Sequence, residues 1–421
     1  MTVVGLDDTD SRERGMCTTY VAARLARRLQ EVGWNVERTL LVRLNPAVEH
    51  KTRGNAALAV HTDAHIDTAR DLMSEEIGLA ETADPRTNPG VVIADGQPGE
   101  ISDDVAEFAR RAIRTHHDIG DACELADRHD FVTLSRGNGR GLIGALAAVG
   151  AWRAFEEWTY ESISYRERER WGTDRAVDHE SVFAAAEEAY PRAWDTVDRG
   201  EGQAVCVPHT PCPILYGIRG DDPDAVERVA DHIESEPVAS RHLFVTNQGT
   251  DAHLETAPIR ETADGRAYRV DGTVVGPPET RTGGHVFLTV GDGTHSLECA
   301  AFEPTKRFRD RVRALRVGDD VTVCGEVSEG TLKLEKFAVR DLRATEPATP
   351  DCPKCGRSMK SAGQGQGYRC RDCGTSAGGK VEREIDRDLE VGWYEVPPVA
   401  RRHIAKPLIR SGFDGPIHPE Q

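Results

Sequence analysis

Two pairs of cysteines in the C-terminal part of the chain have the spacing of a metal site. Cys352 and Cys355 are separated by two residues, as are Cys370 and Cys373, and fourteen residues lie between the two pairs. Two such pairs can supply four thiolates to one Zn²⁺ in tetrahedral geometry. Because four protein ligands leave no open position for a substrate, the spacing predicts a structural zinc site.

A cluster of acidic residues follows the first apolar segment of the chain. Residues 3–6 predict a short buried strand, which is followed at once by three aspartates: Asp7, Asp8 and Asp10. Carboxylate oxygens at the end of a strand can hold Mg²⁺, which neutralises the charge of a nucleotide polyphosphate. We therefore predict a Mg²⁺–nucleotide site here, with Asp7 and Asp8 as the metal ligands.

Two other interpretations of these aspartates stay open. They can form a solvated turn that caps the helix beginning near Thr18. They can also be the Asp-x-Asp signature of a phosphatase, but that chemistry needs a lysine, and Lys51 is the only one before residue 306. A magnesium–nucleotide site explains more of the sequence.

Two further segments could contact a nucleotide, although the chain has no Gly-x-x-x-x-Gly-Lys-Ser/Thr motif. The first offers cations and a glycine turn: Lys51, Arg53 and Asn55. The second is a glycine cluster that precedes an apolar helix and could cradle phosphate: Gly137, Gly139 and Gly141. The alternatives are an exposed basic loop for the first segment and close helix packing for the second.

The composition allows a nucleic-acid partner despite a net charge of −18. The chain has many aspartates but few lysines, as in salt-adapted archaeal proteins, so its acidity reflects the solvent. The positive charge lies towards the C-terminal end, where we expect a polyanion-binding tail with Arg401, Arg402, His403 and Lys406. The sequence has no apolar run of about 20 residues and no targeting segment, which predicts a cytoplasmic protein without a membrane partner.

The pattern of elements predicts an α+β protein of several domains. Helix and strand patterns alternate up to about residue 134, and a β-α-β pattern follows that suits a ferredoxin-like arrangement with the helix after Gly141. Five period-2 segments with one helix after the third have the order of an OB-fold barrel. An OB-fold binds oligonucleotides, oligosaccharides or other proteins, and the adjoining cysteine pairs and basic tail favour nucleic acid. The predicted domains are residues 1–134, 135–263, 264–345 and 350–421.

Six motifs in this order resemble one family, the archaeal synthetases that make agmatidine in an isoleucine tRNA. They are Gly5–Ser11, Gly15–Tyr20, Lys51–Ala57, Arg136–Leu146, Leu215–Gly220 and Asn247–Asp251. The resemblance implies a kinase-like α/β domain of unusual fold, a ferredoxin-like domain, an OB-fold and a zinc ribbon. It also implies that ATP is cleaved to AMP and pyrophosphate, that phosphate activates the C2 oxygen of the wobble cytidine, and that agmatine displaces it.

The resemblance also implies roles for particular residues. Asp7 and Asp8 match its metal and phosphate motif, and Thr18 matches a threonine that becomes phosphorylated. The partners it implies are agmatine and the isoleucine tRNA with a CAU anticodon. The alternatives are an ATP-dependent nucleic-acid kinase or ligase without agmatine, and a non-enzymatic OB-fold and zinc-ribbon adaptor.

Agmatine carries a guanidinium and therefore needs a carboxylate near the activated cytosine. Asp251, in a polar loop beside His253, is the preferred candidate, with helix capping as its alternative role. If Asp251 does not bind agmatine, we expect the pocket around His209 and Tyr216.

Overall fold

The computed structural model describes residues 1–11, 13–49, 51 and 54–421. It confirms the predicted α+β class: one large mixed unit is followed by a β-barrel and a small cysteine-bearing unit. Among the described residues, every helix is too short or too polar to cross a lipid bilayer.

The N-terminal elements alternate as the sequence predicts, with a helix at Ile119–Arg128 and a strand at Val132–Ser135 that the pattern did not reveal. They are β1 (Thr2–Asp7), α1 (Thr18–Glu31), β2 (Val36–Arg43), β3 (Ala56–Thr62), α2 (Ile66–Glu76), β4 (Gly90–Asp95), α3 (Asp103–Ala112), α4 (Ile119–Arg128), β5 (Val132–Ser135) and α5 (Gly141–Ala154). Residues of α1 and α2 pack on one face of the strands, and residues of α3, α4 and α5 pack on the other. Because both faces are covered, these strands are apolar almost throughout.

The next elements form the ferredoxin-like arrangement. They are β6 (Thr159–Arg166), α6 (His179–Ala189), β7 (Ala193–Trp194), β8 (Val197–Asp198), β9 (Gln203–Ala204), β10 (Ile214–Gly220), α7 (Pro223–His232) and β11 (Val238–Thr246). Four strands lie in the order β11-β6-β10-β7, all antiparallel, with α6 and α7 packed on the same face. The predicted unit of residues 135–263 also includes α5, which packs on β1, β3 and β4 and on α3.

One sheet joins the two units. Its order is β5-β4-β1-β3-β2-β11-β6-β10-β7, and a short parallel pairing of β2 with β11 connects the halves. Strand β2 and the first turn of α1 therefore lie beside strands of the ferredoxin-like arrangement. The predicted boundary between residues 134 and 135 falls inside β5 and remains a prediction.

The barrel has the strand order of an OB-fold. Its elements are β12 (Leu254–Thr256), β13 (Arg266–Thr280), β14 (Val286–Gly291), β15 (Ser296–Ala301), α8 (Phe308–Arg313), β16 (Asp320–Ser328) and β17 (Thr331–Asp341). Strands β13, β14, β15, β17 and β16 close on themselves, with β15 and β17 parallel. The single helix lies between the third and fourth barrel strands, as predicted.

The remaining strands are short. They are β18 (Thr345–Ala348), β19 (Lys360–Ser361), β20 (Tyr368–Arg369), β21 (Ser376–Ala377), β22 (Val381–Glu384), β23 (Gly392–Glu395) and β24 (Ile417–His418). Strands β19, β20 and β21 form a small sheet next to the cysteine pairs, whereas β23 returns to the barrel and pairs with β17. The C-terminal segment is therefore part of the barrel rather than a free tail.

Candidate active site

The two aspartates at the end of β1 are neighbours in a half-buried turn. Asp7 is the last residue of β1, and Asp8 has a left-handed backbone with φ of 59°. The Asp8 backbone N–H donates to Asp7 Oδ1 at 2.6 Å. Burial raises the pKa of Asp7 well above its ordinary value, and the neighbouring Asp8 carboxylate raises it further. Two adjacent half-buried carboxylates favour a bound cation, which would stabilise their charged forms.

Arg140, at the start of α5, holds the second aspartate. Its Nη2 lies 2.8 Å from Asp8 Oδ2, and the Asn88 backbone N–H donates to the same oxygen at 3.1 Å. Burial raises the pKa of Asp8, and Arg140 opposes that shift. Arg140 was not among the predicted site residues, although it stands between Gly139 and Gly141 of the predicted phosphate cradle.

The glycine cluster acts through its backbone. Gly137 and Gly139 have φ of 66° and 75°, which side chains rarely allow. A Cβ on Gly137 would lie 2.4 Å from Asn88 Oδ1, the atom that accepts a hydrogen bond from the Asn138 N–H at 3.0 Å. These two glycines shape the turn that positions Arg140 beside Asp8, whereas Gly141 itself lines the site.

A cavity lies over the aspartates, here called the aspartate cavity. Six predicted nucleotide-site residues line it: Asp7, Asp8, Asp10, Lys51, Asn55 and Gly141. Other lining residues were not predicted for the site, among them Arg140, His116 and His117. Asn55 Nδ2 also donates to the Asn45 carbonyl at 2.9 Å, which fixes the loop after β2. Arg53, predicted with them, lies outside the described residues.

A second cavity of about 550 Å³ adjoins the first and is here called the Thr18 cavity. The two cavities share three lining residues, Asp10, Gly54 and Ala56. Thr18 begins α1, and its Oγ1 accepts a hydrogen bond from Thr9 Oγ1 at 3.1 Å. His209 lines the same cavity, so the structure brings this predicted residue to Thr18.

Tyr216 and Asp251 line neither cavity and have other contacts. Tyr216 is buried among α6, α7 and β10, and its hydroxyl donates to the Ala230 carbonyl at 3.1 Å. Asp251 Oδ2 lies 2.5 Å from Lys336 Nζ of the barrel, and Oδ1 accepts from the Lys406 backbone N–H at 2.7 Å. Both carboxylate oxygens of Asp251, the residue predicted to bind agmatine, are thus engaged within the protein. The geometry gives Asp251 a role in joining its loop to the barrel and to the C-terminal segment.

The basic tail is not an open polyanion-binding surface, which corrects that expectation. Arg401 is buried against Asp195 and Glu395, and Arg402 pairs with Glu326 and Glu335. Lys406 Nζ lies 2.9 Å from Glu157 Oε1, and His403 lines the Thr18 cavity. Carboxylates from distant parts of the chain neutralise these positive charges. Counting charges along the sequence therefore overestimated the positive charge of this segment.

The four cysteines converge as the spacing predicts. Their sulfur atoms all lie within 4.8 Å of one another, with Cys352 and Cys373 3.1 Å apart and Cys355 and Cys370 3.5 Å apart. Tight backbone turns follow each pair, closed by the Gly356 and Gly374 N–H groups. This donor set fits one tetrahedral Zn²⁺.

The aspartates offer a different kind of metal site. Among the described residues, the cysteine group is the only cluster of three or more converging metal-ligand side chains. Asp7 and Asp8 could therefore give Mg²⁺ at most two close carboxylates, and phosphate oxygens and water would supply the rest. Mg²⁺ is commonly bound in this way together with a nucleotide.

Comparisons with known proteins agree along the whole chain. Family models match at residues 3–65 (TiaS TCKD domain), 139–253 (TiaS FLD domain), 265–337 (OB-fold nucleic acid binding domain) and 349–389 (TiaS C-terminal zinc ribbon domain). A relative from Haloquadratum walsbyi, the 2-agmatinylcytidine synthetase TiaS of an isoleucine tRNA, is 54% identical over 462 residues and covers 100% of both chains.

Two crystal structures share the fold of the entire chain. One is the complex of TiaS with an isoleucine tRNA and ATP, with a TM-score of 0.89, 42% identity and coverage of 100% of this chain and 99% of that one. The other is the complex of TiaS with an isoleucine tRNA, AMPCPP and agmatine, with a TM-score of 0.87, 40% identity and the same coverage. The likeness therefore extends over all four parts of the molecule in one arrangement.

Proposed function

The chain belongs to the family of 2-agmatinylcytidine synthetases that act on an isoleucine tRNA, and we propose that it joins agmatine to C2 of the wobble cytidine of the isoleucine tRNA with a CAU anticodon. The reaction uses ATP, which is cleaved to AMP, and gives agmatidine, which allows AUA to be decoded. It takes place in the cytoplasm. The observation that carries the assignment of the site is the contact between the two cavities, which share Asp10, Gly54 and Ala56.

The aspartate cavity takes the nucleotide. Asp7 and Asp8 would hold Mg²⁺, which when bound would neutralise the charge of the polyphosphate and of the two carboxylates. Lys51 and Arg140 line the same cavity and supply positive charge for phosphate oxygens. The glycine turn before α5 positions Arg140, and the Gly141 backbone lies at the helix N-terminus, where anions are favoured.

The Thr18 cavity takes the cytosine and the amine. A pyrimidine carbonyl oxygen is a very poor leaving group, so a phosphoryl group must be attached to it before an amine can replace it. The amine nitrogen then forms a bond to C2, the C2–O bond breaks, and the oxygen leaves with the phosphate. The amine loses a proton in this step, and His209, on the cavity wall, is placed to accept it.

The barrel and the zinc ribbon hold the tRNA. An OB-fold and a zinc ribbon are both common nucleic-acid-binding modules, and both lie outside the two cavities. We keep the division into units at residues 1–134, 135–263, 264–345 and 350–421 as part of this proposal.

The proposed function is tested by incubating the protein with ATP, labelled agmatine and total archaeal tRNA, and then analysing the nucleosides. We expect labelled agmatidine in the wild type and none in Asp7→Asn or Asp8→Asn. Asp95→Asn is a matched control, because Asp95 also ends a strand of the same sheet but is exposed. A kinase or ligase without agmatine would turn over ATP equally well when the amine is omitted, and an adaptor would bind tRNA without turnover.

A further inference from the structure

Two arginines share one carboxylate on the wall of the Thr18 cavity. Arg43 ends β2, Arg219 lies on β10, and Glu161 lies on β6 between them. Arg43 Nη2 is 3.8 Å from Glu161 Oε2, and Arg219 Nε is 3.4 Å from Glu161 Oε1. Both guanidinium side chains are 13% exposed and line the cavity.

The outer nitrogen atoms of both arginines are available to a ligand. Arg43 Nε donates to Gln248 Oε1 at 2.8 Å, and Arg219 uses its Nε for Glu161. Within the part of the chain that the structure describes, the Nη atoms of neither residue donate a hydrogen bond. A Cβ on Gly54 would lie 3.0 Å from Arg43 Nη1, which places that nitrogen beside a residue common to both cavities.

Among the described residues that line this wall, Glu161 is the carboxylate that contacts both arginines. Glu161 is already engaged by both arginines and by Gln248 Nε2. Asp195 is near enough to feel the charge of Arg219, but its carboxylate is bound to Arg401. The remaining lining carboxylate is Asp10, where the two cavities meet.

His403 and the first turn of α1 add no negative charge to this wall. The positive charges of Arg219 and Arg43 keep the pKa of His403 well below its ordinary value, so this imidazole is neutral. Burial also lowers the pKa of Arg43 to about 10, which leaves it charged at neutral pH. Helix α1 begins in the cavity at Thr18 without an acidic residue in its first turn, and helix N-termini attract anions.

We propose that Arg43 and Arg219 form an anion subsite that binds a phosphate group in the Thr18 cavity. Guanidinium forks match the oxygen geometry of phosphate, and two forks side by side can hold a dianion. The inference rests on the proposed function for its ligand: the phosphate monoester formed on the substrate, or the inorganic phosphate released when the amine replaces it. Glu161 pairs with both guanidinium groups and therefore competes with the phosphate for them.

The test measures binding of inorganic phosphate to the full chain by calorimetry, with the nucleotide site saturated by AMPCPP and Mg²⁺. We expect Arg219→Gln to weaken phosphate binding at least about tenfold and Arg219→Lys to weaken it less, because charge is kept while the fork is lost. Glu161→Gln should instead tighten binding several-fold, since it removes the competing carboxylate. A purely structural role for these residues would weaken binding in all three variants.

Arg70→Gln is the control, because Arg70 lies on α2 with its side chain 42% exposed and lines neither cavity. Equal phosphate affinity in Arg219→Gln and the wild type, or no binding to the wild type, would overturn the subsite. Titration with phenyl phosphate in parallel distinguishes the sources: a monoester that binds with the same dependence on Arg219 supports the substrate ester, whereas binding of inorganic phosphate alone supports product release. Agmatidine formation is measured separately, so that failure of the proposed function is seen independently.

Discussion

The carboxylate of Asp7 lies directly against the backbone of Gly144. A Cβ built on Gly144 would be 2.0 Å from Asp7 Oδ2 and 2.6 Å from Asp7 Cγ. Gly144 lies in the first turn of α5, and Asp7 ends β1, so helix and strand approach each other at the Asp7 carboxylate. The backbone of Gly144 is helical, so its conformation does not require glycine. Glycine is needed here because a side chain would collide with the Asp7 carboxylate.

We expect Gly144→Ala to displace the Asp7 carboxylate and to lower ATP cleavage about 100-fold or more, as a shift of about 1 Å in a catalytic group can do. The contacting atoms belong to a short side chain fixed by the end of β1, so they cannot move away freely. Steady-state AMP formation by the purified variant is the measurement.

Gly120→Ala is the matched control for that variant. Gly120 also lies in a helix, but a Cβ there would meet no described atom within 4 Å. The control should keep wild-type activity and the same melting temperature. Wild-type AMP formation by Gly144→Ala would show that the position of Asp7 does not limit the reaction.

Sequence patterns predicted those parts of the fold and the site that are determined by residues close together in the chain. The strand before Asp7, the helix from Thr18, the barrel order and the cysteine pairs each follow from neighbouring residues. The pairing of Arg140 with Asp8 did not follow, since these residues are 132 positions apart and only the packing of α5 on β1 brings them together. The ion pairs of Arg401 and Arg402 were missed for the same reason.

Strand β6 shows a second limit of pattern reading. It is buried along most of its length, yet three of its central residues are polar: Glu161, Ser162 and Ser164. Ser162 Oγ donates to Glu227 Oε1 at 2.8 Å, and Glu161 is engaged by two arginines. Partners from distant segments satisfy these polar groups. Strand β6 is therefore buried without being an apolar run, and its burial cannot be read from the sequence.

Replacing Cys370 by Ser should unfold the zinc ribbon and weaken tRNA binding, while agmatine-independent ATP cleavage stays unchanged. A structural zinc site supplies local folding energy, and loss of one thiolate removes most of it. Metal analysis should find about one zinc per wild-type chain and much less in the variant. Cys123→Ser, at a half-buried cysteine of α4, is the control. Absence of stoichiometric zinc from the wild type would rule out this prediction.

The ion pair of Asp251 with Lys336 leads to a prediction that differs from the agmatine role inferred from the sequence. Lys336 is 2% exposed in its side chain, so Asp251→Asn leaves a buried charge with a weaker partner. We expect a loss of about 3 kcal/mol in the free energy of unfolding, as for other broken buried pairs. The apparent agmatine affinity should stay within about twofold of the wild type.

The double variant Asp251→Asn, Lys336→Met serves as the control, because removing the lysine charge as well should recover part of the lost stability. Denaturant unfolding gives the stability, and initial rates at varied agmatine give the affinity. A sharply raised agmatine requirement with unchanged stability would instead support the original assignment of Asp251 to the amine.

His61 is a buried imidazole on β3. Neither ring nitrogen has a hydrogen-bond partner in the described part of the chain, and the ring meets Trp152 edge-on at 6.1 Å between centroids. Burial, together with the charge of Arg38, lowers the pKa of His61 to about 3. The unfolded chain therefore binds a proton at this residue near pH 6.5, whereas the folded protein does not until about pH 3. Stability that is present above pH 6.5 is lost as the pH falls.

Between pH 7 and pH 5 this residue should cost the wild type about 2 kcal/mol of unfolding free energy. His61→Leu removes the titrating group. Its free energy of unfolding should therefore fall by about 2 kcal/mol less than that of the wild type over the same pH range. His232→Leu, at an exposed histidine of α7, is the control and should follow the wild type. Urea unfolding at constant salt over this pH range measures the difference. Parallel curves for His61→Leu and the wild type would show that His61 is protonated as readily in the folded protein as in the unfolded chain.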